Sequence, residues 1–149
     1  RFEEFETMIQ QEKPDIVHIP HHDCPVMIPG KLIMTIHDCV HVKFPPENLS
    51  RLWRFEMYWR TRRALERASQ VLAVSNSTRD DLVDIFDVDS KRISVIHNAL
   101  DERFEPTSEA VERKTVLERY QLHDPFILYS GRIRPHKNVH RLIEAFAVL

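Results

Sequence analysis

Phe2, Phe5, Met8 and Ile9 recur at helical spacing among glutamates and glutamines, so the first dozen residues read as an amphipathic helix that Pro14 ends. The period then shortens. Asp15-Ile-Val-His-Ile19 and Lys31-Leu-Ile-Met-Thr-Ile36 read as short strands, separated by Pro20-His-His-Asp-Cys-Pro25, a loop too rich in proline to continue a sheet. Beyond Pro45-Pro46, Ser50 is placed to cap a long helix to about Arg67, with Leu52, Phe55, Trp59 and Leu65 as its inner stripe. Gln70-Val-Leu-Ala-Val74 reads as a strand. A helix from about Ser77 to Phe86 follows, with Ser77 and Asp80 as cap and dipole partner, and then strand Ile93-Ser-Val-Ile96. After a polar stretch, a helix is expected near residues 111–120. Phe126-Ile-Leu-Tyr-Ser130 is again apolar and β-prone, and Asn138 opens a helix with Val139, Leu142, Ile143 and Phe146 on one face.

Short apolar strands alternating with amphipathic helices predict an α/β fold: a Rossmann-like parallel sheet covered by helices on both faces. Composition fits this and narrows the partners. With 42% hydrophobic and 30% charged residues the chain is globular, and a net charge of −2 argues against nucleic acid, which wants a strongly basic surface. No apolar run approaches the roughly 18 residues of a membrane span. Cys24 and Cys39 cannot make a disulfide framework, and with no secretory signal they favour a reducing, cytoplasmic setting. The chain opens inside one helical pattern and closes inside another, so a piece of a longer protein is expected.

Chemistry concentrates where strands end. Gly131-Arg-Ile-Arg-Pro-His-Lys-Asn138 lies between a strand pattern and a helix pattern. Gly131 allows a sharp turn and close approach, helix-start N–H groups face the same space, and Arg132 and Lys137 add two positive charges, so this loop is expected to hold an anion. His37 and Asp38 stand at the carboxyl end of a strand, the side on which open α/β sheets bind ligands. Ser75 and Asn98 also follow strands and are possible ligand contacts, although Ser75 equally suits a helix start and Asn98 a turn. The helix over 51–67 carries Arg51, Arg54, Arg60, Arg62, Arg63 and Arg67, which suits contact with an anionic membrane surface or a lipid-linked phosphate; a merely solvated face is the plainer reading.

Two metal-like patterns compete. His18, His21, His22, Asp23, Cys24, His37, Asp38, Cys39 and His41 crowd together and could make a non-enzymatic, zinc-binding module, yet their spacings match no standard zinc pattern. Asp87-Val88-Asp89 has the form of a metal-binding DxD but follows a helix in a turn, where aspartate is common for local reasons.

Five segments in order resemble family 4 glycosyltransferases of the GT-B fold: Asp15-Ile-Val-His18, Thr35-Ile-His-Asp38, Ala68-Ser-Gln-Val-Leu-Ala-Val-Ser-Asn-Ser-Thr78, Ile93-Ser-Val-Ile-His-Asn-Ala-Leu-Asp101 and the stretch over 126–146. The resemblance implies a partial N-terminal, acceptor-side domain over 1–105, a linker over 106–125, and the start of a nucleotide-sugar-binding domain from 126. It implies a retaining transfer of a hexose, with mannose as the candidate, from a nucleotide-diphosphate sugar to a polysaccharide or lipid-linked glycan, without metal or other cofactor. By position, Gly131, Arg132 and Lys137 would hold the donor diphosphate and His37, with Asp38 orienting it, would be the active-site residue. The implied setting is the cytoplasm, peripheral at most to the inner face of the membrane. Ala99 stands where the family usually has glycine, so either the turn adjusts or Asn98 takes a strained conformation. The family's glycine-rich first loop and its Glu-x7-Glu segment would fall before Arg1 and after Leu149, so the 149 residues alone are expected not to catalyse transfer.

Overall fold

The computed structural model describes residues 3–25, 28–46, 49–104, 110–123 and 125–148. Part of the expected linker over 106–125 lies outside them. The chain divides into two compact units, Arg1–Ala99 and Leu100–Leu149.

In the first unit, α1 (Glu3–Glu12) leads into β1 (Ile16–Ile19) and β2 (Lys31–Ile36), then a single-turn α2 (Val40–Lys43), α3 (Arg51–Arg67), β3 (Gln70–Ala73), α4 (Asn76–Phe86) and β4 (Ile93–Val95). The four strands form one parallel sheet in the order β1-β2-β3-β4, the α/β, Rossmann-like arrangement that the alternation predicts. Strands pair in a register that puts Val17, Ile19, Leu32, Met34, Ile36, Val71, Ala73 and Ile93 on one face, all buried. The other face carries polar pairs: His18 Nε2 lies 2.8 Å from Thr35 Oγ1, and Gln70 Nε2 donates to Ser94 Oγ at 3.0 Å. Gly30 enters β2 at φ +85°, where a Cβ would stand 3.3 Å from the Pro14 carbonyl, so glycine suits both the conformation and the space.

Ser50 caps α3 as expected, its hydroxyl accepting from the Trp53 amide. The inner stripe is not the expected one. Of Leu52, Phe55, Trp59 and Leu65 only Leu65 is buried; the helix turns Thr61, Ala64 and Leu65 inward, followed by Ala68. Tyr58 reaches across to stack on Phe86, ring centroids 5.3 Å apart, and donates to the Ile85 carbonyl. The inward positions are mostly small residues, and the bulkier stripe is left on the opposite side. Its C-terminal carbonyls are closed by one distant side chain, since the Arg92 guanidinium donates to the carbonyls of Leu65, Glu66 and Ala68.

The cap of α4 is Ser75, whose hydroxyl accepts from the Thr78 amide at 3.1 Å, and not Ser77. Asp80 falls beyond the first turn and pairs with Arg79 instead of with the helix N-terminus. The DxD-like pair is structural: Asp87 takes the left-handed conformation that ends α4, and Asp89 accepts from the Lys91 amide to start a 3-10 turn at Ser90–Arg92.

The second unit holds α5 (Ala110–Arg119), a 3-10 turn at Pro135–Lys137 and α6 (Val139–Phe146). Residues 126–130 pair with no strand among the described residues, so the expected strand is not formed. A β-prone run becomes a strand only against a hydrogen-bonding neighbour, and this unit offers no second such run. Instead Ile127 and Tyr129 line an apolar recess with Val139, Leu142, Ile143 and Phe146. Among the described residues of this unit, Val139 alone is buried. No described helix of the chain is long and apolar enough to cross a membrane.

Candidate functional site

Because all four strands are parallel, their carboxyl ends open on the same edge of the sheet, and four of the expected site residues gather along that edge. His37 and Asp38 leave β2, Ser75 leaves β3, and Asn98 follows β4; His37, Asp38 and Asn98 are exposed. The edge is tied together by hydrogen bonds. The buried Thr78 donates its hydroxyl to the His37 carbonyl at 3.1 Å while its amide goes to Ser75 Oγ, so the end of β2 is latched to the start of α4. His97 Nδ1 lies 3.2 Å from the Val74 carbonyl, and the Ile96 amide donates to Ala73, joining β4 to β3 in the same way.

Asp38 does not orient the His37 ring by a hydrogen bond. Its Oδ1 accepts from the Val40 amide at 3.0 Å and so starts α2, leaving the His37 imidazole unencumbered on the surface. Neither Asn98 nor Ala99 takes a positive φ; the turn adjusts to the missing glycine without left-handed backbone.

Three of the histidines read as possible zinc ligands stack instead. His22 lies between His21 and His41, with centroids 4.1 Å and 3.9 Å away and the His22–His41 planes only 9° apart. Burial, reinforced by positive charge on His41 and His21, pushes the His22 imidazole down to about 4, and burial likewise lowers His41. Both are therefore neutral near pH 7. Burial pushes the Cys24 thiol up to about 11 and Cys39 to about 12, which keeps both protonated and disfavours them as metal ligands or nucleophiles. Among the described residues no group of three or more His, Cys, Asp or Glu is arranged to hold a metal ion. Asp23 is engaged by Arg60 at 3.1 Å.

The basic loop lies in the second unit. Gly131 sits at φ +150°, and a Cβ there would stand 3.0 Å from Tyr129 Oη, whose hydroxyl donates to the Arg132 carbonyl at 3.0 Å. Tyr129 thus braces the turn, at a φ that favours glycine. Asn138 takes a left-handed φ of 54° before α6, without a side-chain cap. The expectation that free N–H groups face an anion holds less widely than read: the Lys137 and Asn138 amides donate to Arg134 and Pro135 within the 3-10 turn. The side chains of Arg132 and Lys137 are both exposed.

Sequence reasoning missed Thr78 and the imidazole stack. Ser75-x-x-Thr78 was the available signal for the first, being the spacing of a cap and its third helical residue. Nothing in the spacing of His21, His22 and His41 announces the second.

Residues 2–104 match the family model described as Glycosyltransferase Family 4. The chain is similar to the serotype-specific mannosyltransferase WbdA of Escherichia coli, 28% identical over 148 residues that cover 91% of this chain and 18% of WbdA. It is also similar to the O-antigen chain mannosyltransferase RfbU of Salmonella typhimurium, at 26% over 139 residues, 93% of this chain and 34% of RfbU. The alpha-D-kanosaminyltransferase of Streptomyces kanamyceticus matches at 29% over 120 residues, 79% of this chain and 31% of that enzyme. The chain thus spans between about a fifth and about a third of the length of these relatives. Since the family model covers well over half of its residues, in a fold whose parallel sheet and strand-end residues agree with it, the chain belongs to glycosyltransferase family 4.

Proposed function

We propose that the full protein is a retaining hexosyltransferase that moves mannose from a nucleotide-diphosphate sugar to a growing polysaccharide or lipid-linked glycan. Two of the relatives above are named mannosyltransferases, which supports the sugar. The observation that carries the reading is the pairing, in one chain, of an exposed histidine at the carboxyl edge of a parallel sheet with a glycine-turned loop presenting two exposed cations. In the transfer the anomeric C–O bond breaks, the nucleoside diphosphate leaves with the electron pair, and the acceptor oxygen forms the new bond as it loses its proton. Negative charge therefore grows on the diphosphate. Arg132 meets its oxygens with a fork of N–H donors and Lys137 with a point charge, a fixed electrostatic stabilisation that needs no metal. His37 contacts the transferred sugar or the acceptor hydroxyl. Ser75 and Asn98 are at most supporting contacts, the first because its hydroxyl already caps α4.

The test uses the full-length protein and calorimetry against GDP-mannose, UDP-glucose, UDP-N-acetylglucosamine and dTDP-sugars. GDP-mannose is expected to bind, and Arg132→Ala with Lys137→Ala to weaken it by at least about tenfold, the loss of one charge-assisted contact or more. His37→Ala is expected to keep donor affinity and lose about a hundredfold in turnover. Unchanged donor affinity in the double variant overturns the diphosphate assignment, and normal turnover in His37→Ala overturns the other.

A further inference from the structure

The stripe that α3 was expected to bury is the stripe it presents to solvent. Leu52 is 76% exposed, Phe55 61% and Trp59 41%, and the positions lie one turn apart, i, i+3 and i+7, on the side opposite the buried Thr61, Ala64 and Leu65. Phe55 and Trp59 meet edge to face, centroids 5.9 Å apart, so the apolar surface is continuous. Isolated exposed apolar residues are ordinary, but a ridge of three large ones on one helix is not.

Its surroundings say what covers it. α3 carries six arginines against two glutamates, in a chain whose net charge is −2. Three arginines serve the fold: Arg54 donates to the Pro46 carbonyl, Arg60 pairs with Asp23, and Arg67 donates to the Ile28 carbonyl. The others border the ridge. Arg51 is one turn from Phe55, Arg63 one turn from Trp59, and the Arg62 guanidinium sits 5.8 Å over the Trp59 ring. Glu66 engages Arg62 at 2.9 Å and Glu56 lies 3.9 Å from Arg60, so Arg51 and Arg63 carry the ridge's uncompensated charge. A second copy laid on this face would oppose arginine to arginine, and an apolar protein partner would strand them. A surface that is apolar beneath and anionic above satisfies both parts.

We infer that the outer face of α3 is a docking surface for an anionic lipid bilayer, with Leu52, Phe55 and Trp59 entering the boundary between headgroups and acyl chains and Arg51 and Arg63 meeting lipid phosphates. Interfacial helices lie flat in this way, with aromatic and leucine side chains below and arginines reaching up to the headgroups. The contact is independent of sugar transfer, since none of these residues belongs to the proposed donor or acceptor machinery.

The test is co-sedimentation of the full-length protein with phosphatidylcholine vesicles, with and without phosphatidylglycerol, at low and high salt. Binding is expected to rise at least about tenfold with anionic lipid and to fall with salt, with a blue shift of tryptophan fluorescence. The triple variant Leu52→Ser, Phe55→Ser, Trp59→Ser is expected to lose that binding, and Arg51→Glu with Arg63→Glu to lose its dependence on phosphatidylglycerol. Both sets lie on an exposed face, and an unchanged melting temperature and donor affinity show that the fold and the donor site survive. Equal vesicle binding by the triple variant overturns the inference, as does wild-type binding that ignores anionic lipid. A soluble dimer that the triple variant abolishes also overturns it, in favour of a second copy.

Discussion

The two units of this chain carry candidate residues of the same exposure on unlike supports. In Arg1–Ala99, His37 stands at the end of a strand whose next inward neighbours, Ile36 and Met34, are fully enclosed, and its own carbonyl is held by Thr78. In Leu100–Leu149, Arg132 stands on a turn braced by one tyrosine hydroxyl, beside a helix with a single buried side chain. The first site borrows its geometry from a sheet. The second draws it from backbone conformation, with Gly131 at φ +150° and Asn138 at +54°. Placement by a core resists local change; placement by a turn depends on a few residues of the right kind.

The contrast can be broken most forcefully in the core. Met34→Ala, at a position with no exposure, is expected to cost about 2–5 kcal/mol by leaving a cavity under the sheet, measured by guanidinium unfolding followed by circular dichroism. The matched change in the second unit, Ile143→Ala at 65% exposure, is expected to stay within about 0.5 kcal/mol. Comparable losses at the two positions would erase the distinction.

A smaller effect comes from the imidazole stack of the first unit. As pH falls from about 6.5 towards 4, the unfolded chain takes up a proton at His22 that the folded chain refuses, so stability declines through that window and levels off below it. Because the ring is only half buried, solvent screening reduces the loss to about 1–2 kcal/mol. Unfolding midpoints measured across that range should show the decline, and His22→Gln should flatten it. A variant curve with the wild-type slope would place the acid sensitivity elsewhere.

The smallest change probes the latch. Ser75→Ala removes the cap of α4 and is expected to cost about 1 kcal/mol. Ser75→Asp, which keeps an acceptor at the cap, should restore most of it in the same unfolding assay. A neutral Ser75→Ala would mean that the Thr78 link to the His37 carbonyl holds the edge without it.

Most of the sheet was legible because its strands are short apolar runs set between turn residues, and periodicity reports such segments well. The same tool misread α3. A stripe of Leu52, Phe55 and Trp59 and a stripe of Tyr58, Thr61, Leu65 and Ala68 share the helical period, and sequence ranks them by bulk, whereas the sheet accepted the face with small residues. Residues 126–130 misled for another reason: strand propensity is local, but a strand is a relation between two segments. The position of His37 and Asp38 after a strand was legible, yet the carboxylate's duty to the Val40 amide depends on a one-turn helix too short to have a period.

Arg92 joins two stages in the life of the chain. Its guanidinium closes the last carbonyls of α3 from 24 to 27 residues downstream, at the doorstep of β4. Helix ends capped by their own neighbours can mature as soon as they are made. This one is completed only by a residue that follows β3 and α4 in the chain, so the end of α3 is tied to long-range closure and not to its own neighbours.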